Sequence, residues 1–284
     1  MSRYYHVDVF TTRPAEGNGL AVVFPDTLQP SDELLKITRE LNQFESIFLT
    51  PREDTHQARI FTRQEELPFA GHPLLGAAAV IHRRQAPEGA EQRITLTLGN
   101  RTVELTSECL EPRRLYRVTL DQGPPVWGTV LPDSLRSELA AALGLEEQEI
   151  LSGLPLRTVS TGLPYLLIPV TPEGLEKMVI VPGRLEGLVH RAGAHFSYLF
   201  DPAALECRSW DNQGTEEDAA TGSAAGPLLA CLHREGLIPA GEVTALHQGR
   251  FVNRPSTIEG WITPEGSVMI RGSVAFFAEG ELFL

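Results

Sequence analysis

The chain has 284 residues, of which 42% are hydrophobic, and its 37 Asp and Glu residues outnumber 24 Lys and Arg, giving a formal net charge of −13. This length and composition predict one large or two modest globular domains, and the negative charge disfavours nucleic acid and anionic membrane surfaces as partners. The longest apolar stretch, "LLGAAAVI", is too short to span a bilayer, and the N-terminal residues lack a signal-peptide pattern. We therefore expect neither export nor membrane insertion.

Strand and helix patterns alternate in the first half of the chain. "YYHVDVF" and "LAVVF" are typical of strands, and the helix pattern "DELLKITRELNQ" follows, with Ser31 as its expected N-cap. Next come strand patterns in "ESIFLT" and "QARIFT", and a helix pattern from Pro73 to Arg83. "RITLTLGNRTVELT" then predicts two strands that turn at its central Gly-Asn.

A Pro- and Gly-rich segment, "DQGPPVWG" (121–128), predicts a connection between two halves. We assign residues 1–122 to the N-terminal half and 123–284 to the C-terminal half, and the C-terminal strand can complete the first of these. Strand and helix patterns are mixed in both, so the fold class is α+β.

The second half repeats the first. A shift of 151 residues lays "RELNQFESIFL" (39–49) on "HRAGAHFSYLF" (190–200), and it also lays Gly71 on Gly222. Between these segments "RIFTRQ" matches "RSWDNQ" with a shift of 149. Three matches in one order with nearly one offset favour an internal duplication.

Each half carries a helix start with flanking acids and small residues, "EELPFAGHPLLGAAAVIHR" and "EEDAATGSAAGPLLACLHR". The unpaired N–H groups of two helix N-termini facing one cleft would hold a carboxylate or an enolate-like oxyanion. The alternative is purely structural: Thr221 or Ser223 caps a helix, Pro73 occupies a first turn, and small residues permit close packing.

Glu45 is the candidate proton carrier. It begins "ESIFLT" beside Phe44, on the strand face of Ile47 and Leu49, whereas the second half has Phe196 at the equivalent position. Apolar surroundings disfavour the ionised carboxylate, so we expect a raised pKa that suits proton transfer. Alternatively, Glu45 only ends a helix at the surface.

The cysteines predict neither disulfides nor a metal site. Cys109, Cys207 and Cys231 are odd in number and widely separated, with no CxxC pair and no zinc-ligand spacing. They predict reduced thiols in a cytoplasmic protein, with no metal.

Three segments together, "VDVFTTRPAEGNGLAVVF", "ELPFAGHPLLGAAAV" and "EEDAATGSAAGP", resemble the PhzF-like family of phenazine biosynthesis proteins over nearly the whole chain. The resemblance implies the diaminopimelate-epimerase-like fold. In that fold two similar halves each wrap a curved, mostly antiparallel sheet or barrel around a central helix, and the active site lies in the cleft between them.

The resemblance also implies an activity. The family's best-known reaction is the cofactor-independent and metal-independent isomerisation of trans-2,3-dihydro-3-hydroxyanthranilate, in which a glutamate moves a proton between two ring carbons. By motif, this glutamate is Glu45, and His72 and Asp218 are the other two catalytic candidates. The substrate-binding positions carried over in the same way are Gly71, Gly222 and Ser223. A small carboxylate or cyclic amino acid is the implied substrate, and a homodimer is the implied assembly.

Three departures from the family pattern bear on specificity. Phe44 replaces a small hydroxyl residue, "RSWDNQGTEED" is one residue shorter than the usual loop (208–218 here), and Gly19 stands where Pro is common.

Two other functions remain open. A racemase or epimerase of this fold uses one thiol at each helix start, but the corresponding positions here are Ala70 and either Ala219 or Ala220. A non-catalytic protein that binds small anions would keep the fold without the proton transfer.

Overall fold

The computed structural model describes residues 2–27, 29–53 and 55–284, which group into two compact units. The first unit comprises Met1–Asp121, Asn253–Thr257 and Arg271–Leu284. The second comprises Gln122–Val252 and Ile258–Ile270. The C-terminal segment of the chain therefore packs with its N-terminal part.

Strands dominate both units. In chain order they are β1 (Ser2–Val9), β2 (Asn18–Phe24), β3 (Glu45–Pro51), β4 (His56–Thr62), β5 (Glu66–Leu67), β6 (Glu91–Leu98), β7 (Arg101–Glu111), β8 (Leu115–Asp121), β9 (Val126–Val130), β10 (Arg157–Ser160), β11 (Pro164–Pro169), β12 (Phe196–Asp201), β13 (Glu206–Arg208), β14 (Thr244–Gln248), β15 (Ser256–Ile262) and β16 (Val268–Leu282). The helices are α1 (Ser31–Leu41), α2 (Gly71–Gln85), α3 (Leu135–Ala142), α4 (Pro172–Lys177), α5 (Leu185–Arg191) and α6 (Gly222–Arg234).

The first unit is a closed barrel. Among its described residues, eight strands follow one another in the order β1-β2-β3-β4-β6-β7-β8-β16, and β1 also pairs with β16. This pairing joins the two ends of the sheet, so the strand edges that an open sheet would expose are satisfied. The first unit thus has the α+β architecture expected from the sequence, with a strongly curved sheet around a helix.

Helix α2 lies inside this barrel. It contacts β1, β2, β3, β6, β7 and β8, and its residues from Gly71 to His82 are all buried. A barrel of eight strands has little internal space, so an enclosed helix needs small side chains. At Gly76 a Cβ atom would overlap a methyl group of Leu20 and would also press on Val7. The small residues of α2 are therefore required by packing.

The second unit has its own buried helix, α6, which packs against β10 and β11. Gly226 of α6 lies against Gln122, whose Oε1 a Cβ atom at this position would overlap. Gln122 is held in place because its Nε2 donates to the carbonyl of Gly222 (2.9 Å) and its Oε1 accepts from Thr161 (2.7 Å). Close helix-to-sheet packing therefore explains the small residues of both buried helices.

The two units repeat one order of elements. In the first, β1–β2 is antiparallel, β2–β3 parallel, β3–β4 antiparallel and β4–β6 parallel, with α1 and α2 in the two parallel connections. In the second, β10–β11, β11–β12, β12–β13 and β13–β14 show the same alternation, with α4, α5 and α6 in the parallel connections. This repeated order is the one that the predicted internal duplication would produce.

One local prediction was wrong, and a second missed a strand. Ser31 does not cap α1, because Pro30 is the N-cap residue and the Ser31 hydroxyl instead donates to Glu66 (3.1 Å) and accepts from Arg59 (2.5 Å). The expected connection at 121–128 includes the start of β9, which pairs with β10. The Pro and Gly residues at the start of this segment are typical of a loop, so the sequence pattern did not indicate the strand that follows them.

No helix in the described part of the chain is long and apolar enough to cross a membrane.

We predict opposite effects of the same substitution in two helices. Gly76→Ala introduces a methyl group into the filled barrel, so the free energy of unfolding should fall by about 1 kcal/mol or more despite the better helix propensity of alanine. Gly187→Ala in α5, where a Cβ atom meets nothing within 4 Å, should raise it by about 0.5–1 kcal/mol. Chemical denaturation measures both, and equal stabilisation would show that packing around α2 is not limiting.

Candidate active site

Glu45 and His72 meet inside the first unit. Glu45 is the first residue of β3, beside Leu20 of β2, and its carboxyl group is buried, with the residue only 6% exposed. His72 is the second residue of α2 and is 3% exposed. The Nδ1 atom of His72 lies 3.3 Å from Oε2 of Glu45. The alternative interpretation of Glu45 as a surface residue at a helix end was therefore wrong.

His72 is neutral at physiological pH. Burial lowers its pKa from an ordinary value of 6.5 to about 3, because the charged imidazolium is poorly solvated there. A neutral imidazole has one N–H donor and one bare nitrogen, and a bare Nδ1 is positioned to accept a hydrogen bond from the Glu45 carboxylic acid. The neutral imidazole therefore adds no positive charge that would hold Glu45 in its ionised form.

Asn18 is a third member of this group, and sequence reasoning did not single it out. It is the first residue of β2 and is 2% exposed, and its Nδ2 lies 3.4 Å from Nδ1 of His72. Its only signal was the Gly-Asn pair inside the motif "AEGNGLAVVF". The other ring nitrogen, Nε2 of His72, is buried and has no hydrogen-bond partner among the protein atoms of the described residues. Nδ1 of the imidazole thus contacts protein side chains, whereas Nε2 can bond a ligand.

Asp218 and Ser223 flank the start of α6 in the second unit. Ser223, the second residue of α6, shares a hydrogen bond with the hydroxyl of Tyr165 (2.7 Å). Tyr165 lies on β11 beside Phe196 of β12. The second unit therefore has Ser223 and Phe196 where the first has His72 and Glu45, and it lacks a carboxylate at that strand position.

Asp218 organises the turn before α6. Its Oδ2 accepts from the Thr221 hydroxyl (2.6 Å), and its backbone carbonyl accepts from Nε2 of Gln248 (2.8 Å). Gln248 also accepts from the Thr221 N–H (3.0 Å) and from the Tyr198 hydroxyl (2.9 Å). Because this carboxylate is already bonded within the turn, Asp218 is suited to orienting a ligand. Gln248 gave no local sequence signal, since it lies on a separate strand.

Both helix starts lack a side-chain cap in the described structure. The N-cap residues are Ala70 for α2 and Thr221 for α6, and neither side chain accepts from the first turn. In the structural alternative Thr221 or Ser223 caps α6: Thr221 does occupy the N-cap position, but its hydroxyl donates to Asp218, and Ser223 lies within the helix. The first-turn N–H groups, including those of Gly71 and Gly222, form the kind of helix terminus that binds anions.

The shortened loop at 208–218 is tightly held. Arg208 forms a two-pronged ion pair with Glu217 (2.9 and 2.7 Å), and both side chains are buried. The Arg208 guanidinium also lies over the rings of Trp210 and Phe251. The ion pair and the ring contacts therefore fix the conformation of the loop that leads to Asp218. Its effect on specificity stays a prediction.

None of the three cysteines lies in the first turn of α2 or α6, and their thiols are poorly ionised. Burial raises the pKa of Cys207 to about 12 and that of Cys231 to about 11. The pKa of Cys109 is also raised by burial. Thiol pairs at the starts of α2 and α6 are thus absent from the described chain, which disfavours the two-thiol racemase.

The described residues contain no group of three or more His, Cys, Asp or Glu side chains arranged to hold a metal ion. Each unit supplies half of the expected residue set: Glu45, Gly71 and His72 in the first, and Asp218, Gly222 and Ser223 in the second. The expectation that both helix starts face one cleft stays a prediction.

Comparisons with known sequences match the whole chain. A family model described as "Phenazine biosynthesis-like protein" matches residues 7–280. Trans-2,3-dihydro-3-hydroxyanthranilate isomerase of Pseudomonas aeruginosa is 34% identical over 301 residues, with 100% of both chains covered. Uncharacterized isomerase YddE of Escherichia coli is 32% identical over 299 residues, covering 98% of this chain and 97% of that protein. These relatives support an isomerase.

Solved structures confirm the fold. A protein described as a "Predicted Epimerase" from Pseudomonas aeruginosa has a TM-score of 0.94 and 44% identity, with full coverage of both chains. A probable proline racemase from Agrobacterium radiobacter has a TM-score of 0.68 and 14% identity, covering 100% of this chain and 93% of that one. At this low identity the second likeness shows the fold alone, which is the diaminopimelate-epimerase-like fold expected from the sequence.

We predict a measurable stability effect of His72. Between pH 6.5 and about 3 the unfolded state binds a proton at this histidine and the folded state does not, so stability is lost as pH falls through this window. At pH 5.0 the loss amounts to about 2 kcal/mol, since one pKa unit corresponds to about 1.4 kcal/mol. Urea denaturation of the parent and His72→Gln at pH 7.5 and 5.0 tests this. Identical pH dependence in both proteins would show that His72 is not held neutral.

Proposed function

The chain belongs to the phenazine biosynthesis-like protein family, and we propose that it isomerises a small cyclic amino acid by moving a proton between two carbon atoms. Glu45 is the proton carrier, and no cofactor takes part. The observation that carries this proposal is the buried Glu45 carboxyl group, 3.3 Å from a neutral and equally buried imidazole. A surface acid would not be buried in this way, and a structural ion pair would have a charged partner in place of a neutral imidazole.

The reaction needs one group that both accepts and returns a proton. The Glu45 carboxylate removes a proton from a ring carbon, and the electron pair of that C–H bond shifts along the adjacent double bond. Glu45, now a carboxylic acid, delivers the same proton to the carbon at the far end of the shifted system. The neutral His72 adds no charge that would fix Glu45 in one protonation state, and a bare Nδ1 can accept a hydrogen bond from the protonated acid.

The remaining residues bind and orient the substrate. His72, Asp218 and Ser223 provide polar atoms for its amine, hydroxyl and carboxylate, and the backbone N–H groups of Gly71 and Gly222 provide donors for anionic oxygens. The substrate class follows from the relatives named trans-2,3-dihydro-3-hydroxyanthranilate isomerase, at 31–34% identity. That compound, or a similar unsaturated cyclic β-amino acid, is the proposed substrate.

The family resemblance also supports a homodimer in the cytoplasm. The three cysteines are free thiols in the described chain, as a reducing compartment would keep them.

An epimerase is the second candidate, because the solved structure at 44% identity is described as a predicted epimerase. An epimerase inverts a carbon centre without moving a double bond. Two measurements on amino-acid substrates incubated with the protein distinguish the two reactions. Chiral chromatography detects the inverted product of an epimerase. Ultraviolet absorption detects isomerisation, because a moved double bond changes the spectrum and epimerisation does not.

We predict that Glu45→Gln abolishes proton transfer and preserves binding. Glutamine keeps the shape of the side chain but cannot relay a proton, so exchange of carbon-bound hydrogen in D2O should fall by about 100-fold or more, measured by proton NMR of the substrate. Calorimetry should show substrate binding close to that of the parent. The matched control is Glu108→Gln on β7, whose carboxylate is 50% exposed and pairs only with Arg117 in the described structure. Exchange at the parental rate in Glu45→Gln would rule out the mechanism.

His72→Ala and Asp218→Ala should weaken binding as well as rate. Both side chains are assigned to orientation, so KM should rise and kcat should fall together. A variant with normal kcat and raised KM would place that residue in binding alone.

We predict that thiols are dispensable. Replacing Cys109, Cys207 and Cys231 together with Ser should leave proton exchange within a few-fold of the parent, although loss of the two buried thiols lowers stability. Alkylation of the folded parent should likewise leave exchange intact. Loss of turnover in either experiment would restore the thiol racemase.

A further inference from the structure

One buried carboxylate of the first unit has no role in the proposed reaction. Asp8 lies on β1 with its side chain 1% exposed, yet it is fully satisfied. Its Oδ1 accepts from Nη2 of Arg254 (2.6 Å), and its Oδ2 accepts from the backbone N–H of Ala15 (2.7 Å). His6 lies close by, with Nε2 3.8 Å from Oδ1. Burying a charged carboxylate costs desolvation free energy, so the groups that bond Asp8 indicate what the ion pair stabilises.

Arg254 does more than neutralise Asp8. Its Nε donates to the carbonyl of Gly17 (2.8 Å), and its Nη2 also donates to the carbonyl of Glu16 (3.1 Å). The next residue contributes a backbone bond, because the N–H of Gly17 donates to the carbonyl of Pro255 (3.1 Å). Arg254 thus fastens residues 10–17, here called the Asn18 turn because it leads directly into Asn18.

The Asn18 turn needs such fastening. Phe10 and Ala15 have positive φ angles of 66° and 69°, which non-glycine residues rarely adopt, and Gly17 has a φ of 67°. At Gly17 a Cβ atom would overlap the carbonyl oxygen of Val9. Backbone of this kind costs free energy and persists only where its surroundings fix it, which is a frequent property of functional sites.

The turn delivers Asn18 to the imidazole of His72. The contact of 3.4 Å between Asn18 Nδ2 and His72 Nδ1 favours a bare Nδ1 and a protonated Nε2, because the amide nitrogen of asparagine can only donate. The same Nδ1 lies 3.3 Å from Glu45. A shift of the turn would therefore change the protonation pattern of the imidazole beside the proton carrier.

We propose that Arg254 and Asp8 are positioning residues, which hold the Asn18 turn so that Asn18 fixes the tautomer and orientation of His72 beside Glu45. This inference rests on the proposed function for its effect on rate, but its effect on His72 is independent of any reaction. Neither residue contacts substrate in this role.

The experiment compares Arg254→Gln with Arg13→Gln, a control that removes the same charge from an exposed side chain of the same turn (79% exposed). Two quantities are measured: kcat and KM for hydrogen exchange of trans-2,3-dihydro-3-hydroxyanthranilate in D2O, and the ring 15N chemical shifts of His72 in the ligand-free protein. The His72 signals are identified by their absence in His72→Gln.

Arg254→Gln should lower kcat by about 10-fold or more, since a displacement of about 1 Å can cost 100-fold. The His72 nitrogen shifts should move toward a mixture of tautomers, and Arg13→Gln should change neither quantity. Arg254→Lys should restore only part of the rate, because an ammonium group can reach Asp8 but cannot also bond the Gly17 carbonyl in the same fork. Asp8→Asn combined with Arg254→Gln should cost little more than either change alone, as expected for residues that act as one unit.

Unchanged nitrogen shifts in a folded Arg254→Gln protein would overturn the proposal, even if its melting temperature falls. If that variant does not fold, Asp8→Asn and Arg254→Lys decide by the same readouts. The two hypotheses fail differently: absence of hydrogen exchange in the parent protein contradicts the proposed function, whereas the nitrogen shifts still determine whether Arg254 positions His72.

Discussion

The enclosure of α2 by a closed barrel is the constraint on which the first unit depends. A barrel of eight strands can enclose a helix only if many of the helix residues that face the strands are small. Gly76 is an example, because a Cβ atom there would collide with Leu20 and press on Val7. The same enclosure removes water from the helix start. His72 is therefore buried because of the way the barrel is packed, and its neutral state follows from that burial.

Burial then determines what the polar groups can do. In the first unit a carboxyl group, an imidazole and an amide are buried together, with the imidazole 3.3 Å from the carboxyl group and 3.4 Å from the amide, so the protonation states of the carboxyl group and the imidazole affect each other. In the second unit the equivalent helix start has a hydroxyl pair, Tyr165 and Ser223, which carries no charge and cannot exchange a proton so readily. One order of secondary structure thus places titratable side chains, Glu45 and His72, in one unit and a hydroxyl pair with Phe196 at the equivalent positions of the other.

Local patterns predicted much of this protein. The alternating strands, the small-residue helices and the position of Glu45 in apolar company follow from nearest neighbours, and these are confirmed. Ser31 was predicted wrongly because an N-cap depends on competition between the backbone and distant side chains, here Arg59 and Glu66.

Contacts between residues far apart in the chain could not be predicted. Asn18 reaches His72 across 54 residues, Gln248 reaches Asp218 across 30, and Arg254 reaches Asp8 across 246. Each of these polar residues is unremarkable in its own segment, since no periodicity or spacing marks it. These contacts become visible only in the folded chain, where Asn18, Gln248 and Arg254 come from separate segments and bond residues of the candidate site or of the turn beside it.

The pairing of β1 with β16 sets the order of assembly during synthesis. Ser2 pairs with Leu282, so β1 cannot complete its pairing until β16 has been synthesised. Until then the edges of β1 and β8 are open to other strands, which is the situation in which nascent chains aggregate or need a chaperone. The barrel that contains Glu45 and His72 can therefore close only after the strands β9–β15, which lie between β8 and β16 in the chain, have been synthesised.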